Sequence, residues 1–215
     1  MNQHAVVKRE YRSPLRRAQA DATRRRIIEA ATRLFLELGY GATSIDAIAA
    51  EAGVSRATVF ATVGSKPALL KTAYDVALVG DDEPIPFPER PESRSVRAEP
   101  DPERYLDRYV ELVLPLLARL GPMYEAVRGA ASADPEVRPV WDKLQVERRI
   151  GAGNVVGDVK AKGGLRTDIE PEVLADAVWV LIEPSLYQQL VNGRGWPRDR
   201  FGAWLARMLR SELLG

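Results

Sequence analysis

The sequence predicts an all-α protein of about nine helices. Apolar residues recur at steps of three and four through most of the 215 residues, which places them on one face of a helix. No segment alternates apolar and polar residues strongly enough to predict a strand. Residues that cap or stop helices stand at the ends of the periodic segments.

The first predicted helix covers residues 20–38, and Gly39 is placed to end it. Its apolar positions share one face: Ile27, Ala31, Leu34, Phe35 and Leu38. Thr43 and Asp46 have the spacing of a capping box. We therefore expect Thr43 to start a second, short helix that ends near Ala52.

Two more helices complete the N-terminal third of the chain. The backbone is expected to turn at Gly53, after which Ser55 can cap a helix over residues 56–62. Ser65 can cap the next helix, which runs to about residue 79 and tolerates a proline in its first turn.

Proline dominates residues 81–102, where six prolines are interleaved with charged residues. Because proline lacks an N–H group and fixes φ, such a segment argues against a regular helix or a central strand. We expect an extended connecting loop there. This loop divides the chain into a flexible basic arm over residues 1–19, a domain over residues 20–80 and a larger helical domain over residues 103–215.

The larger domain is predicted to contain several helices separated by proline and glycine. An apolar stripe is expected to break at Gly121 and Pro122, and Pro184 is expected to kink a later helix. The predicted helices cover about residues 103–120, 123–132, 134–163, 171–191 and 198–213.

Composition excludes several classes of chemistry. The chain has no Cys, and its single His is His4. Disulfides, iron–sulfur clusters, cysteine-ligated zinc and histidine-based catalytic triads are therefore excluded. We expect no catalytic residue, no metal and no cofactor. No run of 18 apolar residues and no signal-peptide pattern is present, so we expect a cytoplasmic protein that does not enter a membrane.

Positive charge is concentrated near the N-terminus. The formal net charge is +1, but residues 1–72 carry +6 and residues 73–215 carry −5. Two short helices joined by a glycine turn in such a basic segment predict a helix-turn-helix, whose second helix enters the major groove. There Arg56 could bridge guanine O6 and N7, and Thr58 could contact a phosphate or a thymine methyl. Lys66 begins the next helix and offers a phosphate contact.

A resemblance to a known family lies in residues 39–70, which read GYGATSIDAIAAEAGVSRATVFATVGSKPALL. This stretch resembles the N-terminal DNA-binding domain of TetR-type transcriptional regulators, and the resemblance covers about residues 20–72. It implies a homodimer that binds a pseudo-palindromic operator in double-stranded DNA. It also implies a larger C-terminal domain that binds a small-molecule effector, whose binding releases a repressor from DNA.

The resemblance also carries DNA-binding roles onto particular residues. These residues are Thr43, Ser44, Ser55, Arg56, Thr58, Phe60, Thr62 and Lys66. Phe60 stands where the family usually has Tyr, so a hydrogen bond from a phenol to phosphate is lost there. Residues 62–63 replace the usual Tyr/His-Phe pair, which makes this part of the reading helix atypical.

The C-terminal residues give weaker signals. Aromatic, Met and Glu side chains within apolar segments are candidates to line an effector pocket, with ordinary core packing as the alternative for each. These candidates are Met123, Tyr124, Trp141, Trp179, Glu183 and Tyr187. The resemblance implies dimerisation through the last two long helices, and the apolar faces of residues 172–191 and 198–213 fit that role.

Other features have a plainer alternative. The glycine-rich residues 151–157 resemble a dinucleotide loop but follow a helical segment rather than a strand. Residues 81–83 could bind a cation or form a solvated loop, and the arginines at 24–26 could contact phosphate or face water. An alternative function remains open, in which the atypical residues 60–63 belong to a vestigial helix-turn-helix of an all-α small-molecule-binding protein or enzyme. The basic N-terminal third argues against it.

Overall fold

The structure is a computed structural model that describes residues 14–215. This part of the chain contains ten α-helices, a short 3₁₀ turn and a π-helical segment, and its only β-type pairing is an isolated bridge between Leu165 and Leu214. The predicted all-α fold is confirmed. The helices are α1 (Pro14–Glu37), α2 (Ile45–Ala52), α3 (Arg56–Val63), α4 (Lys66–Val79), α5 (Pro91–Arg97), α6 (Pro102–Ala133), α7 (Arg138–Ala161), α8 (Pro171–Leu181), α9 (Pro184–Tyr187) and α10 (Arg198–Leu213).

Helices α1 to α4 pack around a shared apolar core. Ile27, Ile48, Val59 and Leu69 contribute one buried side chain from each of these helices. Helix α1 begins earlier than the sequence predicted, because residues 14–19 of the expected flexible arm are helical. The rest of that arm, residues 1–13, lies outside the described residues.

The start of α2 differs from the predicted capping box by one residue. Ser44, not Thr43, is the N-cap, and its hydroxyl accepts a hydrogen bond of 3.0 Å from the Ala47 N–H. The turn after α2 needs Gly53, whose φ of 65° lies in the left-handed region that side chains disfavour. Ser55 caps α3 as predicted.

The proline-rich segment contains a helix, so the expectation of a loop throughout residues 81–102 was wrong. Helix α5 begins at Pro91, at the position where a missing N–H costs no hydrogen bond. The preceding chain is fixed by Arg90, which donates two hydrogen bonds of 2.7 Å to Asp81. These bonds hold the pKa of the Asp81 carboxyl at about 2.

Helix α6 runs without a break past Gly121 and Pro122, contrary to the prediction. It is the central helix and packs against α4, α5, α7, α9 and α10, so tertiary contacts outweigh the local cost of proline. Gly121 permits one of these close approaches. A Cβ atom at this position would lie 2.6 Å from Cδ of Gln188.

The predicted helix over residues 171–191 consists of three segments. Helix α8 ends at Leu181, α9 restarts at Pro184, and a π-helix covers Gln188–Gly193. The predicted kink at Pro184 is therefore a complete break. No helix in the described range is long and apolar enough to span a lipid bilayer.

Candidate DNA-binding helix and effector cavity

Helix α3 has one face in the core and the opposite face in solvent. Val59 is fully buried against α1, α2 and α4. The exposed residues of the helix are Arg56, Ala57, Phe60 and Ala61. A helix fits the width of the DNA major groove, and methyl groups, an aromatic ring and a guanidinium can all contact base edges. This face is therefore suited to reading DNA.

Arg56 has a partner on the neighbouring helix. Its Nη1 donates a 2.7 Å hydrogen bond to Asp46, and both side chains are mostly exposed, by 59% and 66%. The guanidinium carbon also lies 5.5 Å from the centre of the Phe60 ring. Because exposed ion pairs contribute little free energy, Arg56 can exchange Asp46 for a base at small cost.

Lys66 lies at the start of α4, with its ammonium 4.0 Å from the centre of the Tyr40 ring. Burial lowers the pKa of Lys66, and the negative charge of Asp134 opposes that shift. The three residues line a cleft of about 690 Å³ between the α1–α2 turn and the end of α6. Lys66 is thus held beside an aromatic ring in the free protein.

A larger cavity of about 740 Å³ lies between α4, the proline-rich segment, α5, α6 and α7. Its volume is in the range of pockets that hold drug-sized ligands. Apolar side chains form most of its wall, among them Leu112, Leu116, Leu117, Leu120, Leu144 and Val155. Polar atoms are few, as expected for a site that binds an apolar molecule and orients it through a small number of contacts.

Two polar groups of the cavity wall have partners on other helices. The Tyr105 hydroxyl donates a 2.9 Å hydrogen bond to Asp158. Burial raises the pKa of Tyr105, and the charge of Asp158 adds to that shift. Lys71 on α4 donates a 2.6 Å hydrogen bond to Asp75 and lies 3.2 Å from Glu147 on α7. Both pairs hold the walls of the cavity together.

Comparisons with known proteins agree with this geometry. Residues 27–73 match the family described as bacterial regulatory proteins, tetR family. The chain belongs to the TetR family. Over 178 residues it is 26% identical to the uncharacterized HTH-type transcriptional regulator YdeS of Bacillus subtilis (strain 168), which covers 82% of this chain and 83% of YdeS.

Solved structures share the fold along most of this TetR-family chain. A transcriptional regulator from Saccharomonospora viridis, solved in complex with choline, has 25% identity and a TM-score of 0.64, covering 89% of this chain and 97% of its own. NalD from Pseudomonas aeruginosa, the secondary repressor of the MexAB-OprM multidrug efflux pump, has 21% identity and a TM-score of 0.67, with coverages of 91% and 98%.

The predicted DNA contacts of this TetR-family protein differ in accessibility. Thr43 is only 1% exposed, and its hydroxyl lies within hydrogen-bonding distance of the carbonyls of Gly39 and Leu34, at 2.8 and 3.0 Å. The assignment of Thr43 to a phosphate contact was therefore wrong for this buried side chain. Ser44 is exposed at the start of α2, where its hydroxyl already caps the helix.

The threonines of α3 serve the helix itself. Ser55 accepts a 3.1 Å hydrogen bond from the Thr58 N–H, and the two hydroxyls lie 2.8 Å apart. The Thr62 hydroxyl donates to the Thr58 carbonyl at 2.7 Å, and Arg24 donates to the Thr62 carbonyl at 3.1 Å. Both threonines are half-buried. Sequence reasoning missed the exposed Ala57 and Ala61, which counting helical steps from Val59 would have identified.

The predicted effector residues do not line the large cavity, so those assignments were wrong. Met123, Tyr124 and Tyr187 are buried in the core. Trp141 packs on Tyr124, with ring centres 5.1 Å apart. The six residues lie on other faces: Met123, Tyr124, Trp141, Trp179, Glu183 and Tyr187.

Glu183 takes part in a polar network beside the cavity. It accepts hydrogen bonds from the hydroxyls of Tyr124 at 3.2 Å and Ser185 at 2.5 Å. The residues that line the cavity come from α4, α6 and the proline-rich segment, which are far apart in sequence. Periodicity identified the apolar stripe of α6 but carried no information on which of its residues border empty space.

The remaining sequence features have structural roles. Residues 151–157 lie inside α7 and follow helix rather than strand, so they form no dinucleotide loop. Asp81 is paired with Arg90. No cluster of three or more potential metal ligands occurs among residues 14–215.

Proposed function

We propose that this TetR-family regulator is a homodimeric repressor that a small-molecule effector releases from its operator. Helix α4 carries the proposal. It starts at Lys66, next to the reading helix, and its later turns supply Tyr74 and Val76 to the wall of the cavity. A molecule that changes the position of α4 therefore changes the position of α3 as well.

The far end of α4 is attached to α6. Arg119 donates hydrogen bonds to the carbonyls of Ala77 and Leu78, at 2.6 and 2.8 Å. An effector that fills the space between these helices acts on both ends of this connection. It can shift the protein away from the DNA-binding form only by its difference in affinity for the two forms.

Exposed apolar residues support a dimer through the C-terminal helices. Val173 and Val180 lie seven residues apart on α8 and are 54% and 49% exposed. Such residues on one helical face are typical of an unpaired bundle interface. Two-fold symmetry would place two copies of α3 in successive major grooves, which requires a pseudo-palindromic operator.

The relative with bound choline supports a small-molecule effector, since its fold covers 89% of this chain. No covalent chemistry is required of the cavity, so the proposed function needs neither a catalytic residue nor a cofactor. A chromosomal operator places the site of action in the cytoplasm.

In vitro selection from random duplex DNA at two salt concentrations tests the proposal. We expect enrichment of a pseudo-palindrome whose half-sites are about one helical turn apart or somewhat more. Salt-sensitive binding without enrichment would contradict sequence-specific regulation. No binding at low salt would refute the DNA-binding role and favour the alternative of a small-molecule-binding protein.

A further inference from the structure

Arg148 on α7 lines the cavity and has only neutral partners. Its guanidinium donates hydrogen bonds to the Trp179 carbonyl at 2.8 Å and to Gln145 Oε1 at 2.9 Å. The guanidinium carbon lies 5.4 Å from the ring centre of Tyr124 and 5.2 Å from that of Trp179. Within residues 14–215, no carboxylate lies at ion-pairing distance from this half-buried cation.

Two tyrosines of the cavity wall have hydroxyls with no partner in the described part of the chain. Tyr74 on α4 and Tyr109 on α6 both line the cavity, and neither hydroxyl is hydrogen-bonded there. Burial raises the pKa of both tyrosines, while the positive charge of Arg148 lowers it. The buried Ser93 hydroxyl, which also lines the cavity, has no partner either.

The negative charges of the wall already have partners. Lys71 lies within 4 Å of both Asp75 and Glu147, and Asp158 accepts the hydrogen bond of Tyr105. Asp82 and Glu83 lie at the solvent edge of the cavity, where water screens their charge. The nearest acid beyond Tyr124 is Glu183, which is reached only through the tyrosine hydroxyl.

An unpaired cation in an apolar wall favours an anion over a cation or a neutral molecule. Removing Arg148 from water costs free energy that a negative charge at the same place would recover. Hydroxyl donors beside it would bind the same acidic group. The leucines of α6 would contact an apolar remainder.

We infer that the effector is an amphiphilic organic anion, whose acidic head group binds Arg148, Tyr74 and Tyr109 and whose apolar tail lies along α6. This inference rests on the proposed function, because it takes the cavity to be the effector site. Binding at Arg148 would fill the space between α4 and α7, where a change in α4 is transmitted to α3.

Ligands with one tail and different head groups test the charge preference. Dodecanoate, dodecanol and dodecyltrimethylammonium are titrated into the full chain below their micelle concentrations, with calorimetry and tryptophan fluorescence as readouts. We expect dodecanoate to bind at least about tenfold more tightly than the other two, since charge-assisted hydrogen bonds are the strongest polar contacts available. Equal affinities, or a preference for the cation, would overturn the inference.

Variants locate the head group. Arg148→Gln is expected to lower dodecanoate affinity about tenfold or more, and Arg148→Lys to restore part of it. Arg149→Gln is the matched control, because Arg149 is bonded to Asp176 on the outer side of α7 and does not line the cavity. Tyr109→Phe removes only a hydroxyl and is expected to weaken binding less. If neither Arg148→Gln, shown to be folded by circular dichroism, nor Tyr109→Phe weakens binding, the assigned head-group site is wrong.

DNA binding is measured separately on the selected operator. Dodecanoate that binds the cavity but leaves operator affinity unchanged would support the ligand class and contradict effector control. Operator binding without any affinity for dodecanoate would leave the DNA-binding function intact and refute the inferred ligand class.

Discussion

Arg56→Ala should weaken binding to the operator more than binding to unrelated duplex DNA. Arg56 is exposed on the reading face of α3, and a bidentate contact to guanine contributes about 1–3 kcal/mol of discrimination. The free protein must first break the Arg56–Asp46 pair, an exposed ion pair that is worth about 0.2–1 kcal/mol. The measured loss is therefore the contact energy reduced by that amount.

The same reasoning predicts coupling between the two side chains. In an Asp46→Asn protein no ion pair has to be broken, so Arg56→Ala should cost about 0.2–1 kcal/mol more than in the wild type. Fluorescence anisotropy with operator and scrambled duplexes measures both effects at one fixed salt concentration. Arg207→Ala, an exposed arginine on α10, is the control. Equal losses on operator and scrambled DNA would refute a base contact by Arg56.

Three further substitutions test other parts of the structure. Lys66→Ala should reduce the slope of log affinity against log salt by about 0.9, the value for one phosphate contact, and an unchanged slope would contradict that role. Gly121→Ala should destabilise the fold by about 1–3 kcal/mol through overpacking against Gln188, and Gln188→Ala should relieve this in chemical denaturation. Arg119→Ala should lower the free energy of unfolding by roughly 1 kcal/mol, since it removes exposed hydrogen bonds at the end of α4; no change would show that these bonds are unimportant.

Helix-level features were predictable where local chemistry decides them. Ser55 and Gly53 were assigned correctly because a cap needs a short hydroxyl and a left-handed turn needs glycine. Pro122 misled the prediction because its local cost is outweighed by the contacts that surround α6. Pro91 misled it in the other direction, since a proline at the first position of a helix costs no hydrogen bond.

The two functional sites differ in how much of them could be predicted. The reading helix is a contiguous stretch of chain, so Arg56 could be located from sequence alone. The cavity combines Tyr74, Tyr109 and Arg148, which come from three helices. None of these three was selected, because no local pattern records which residues face each other across a space.

The sequence by itself determined the helical class, the DNA-reading motif and the concentration of positive charge near the N-terminus. These properties depend on residues close together in the chain, where helical period, capping and charge act locally. Tertiary structure alone decided that Thr43 is buried, that α4 joins the reading helix to a cavity, and that Arg148 borders that cavity without a counter-charge. These properties arise from packing between distant segments, because burial and pairing depend on which side chains meet in space.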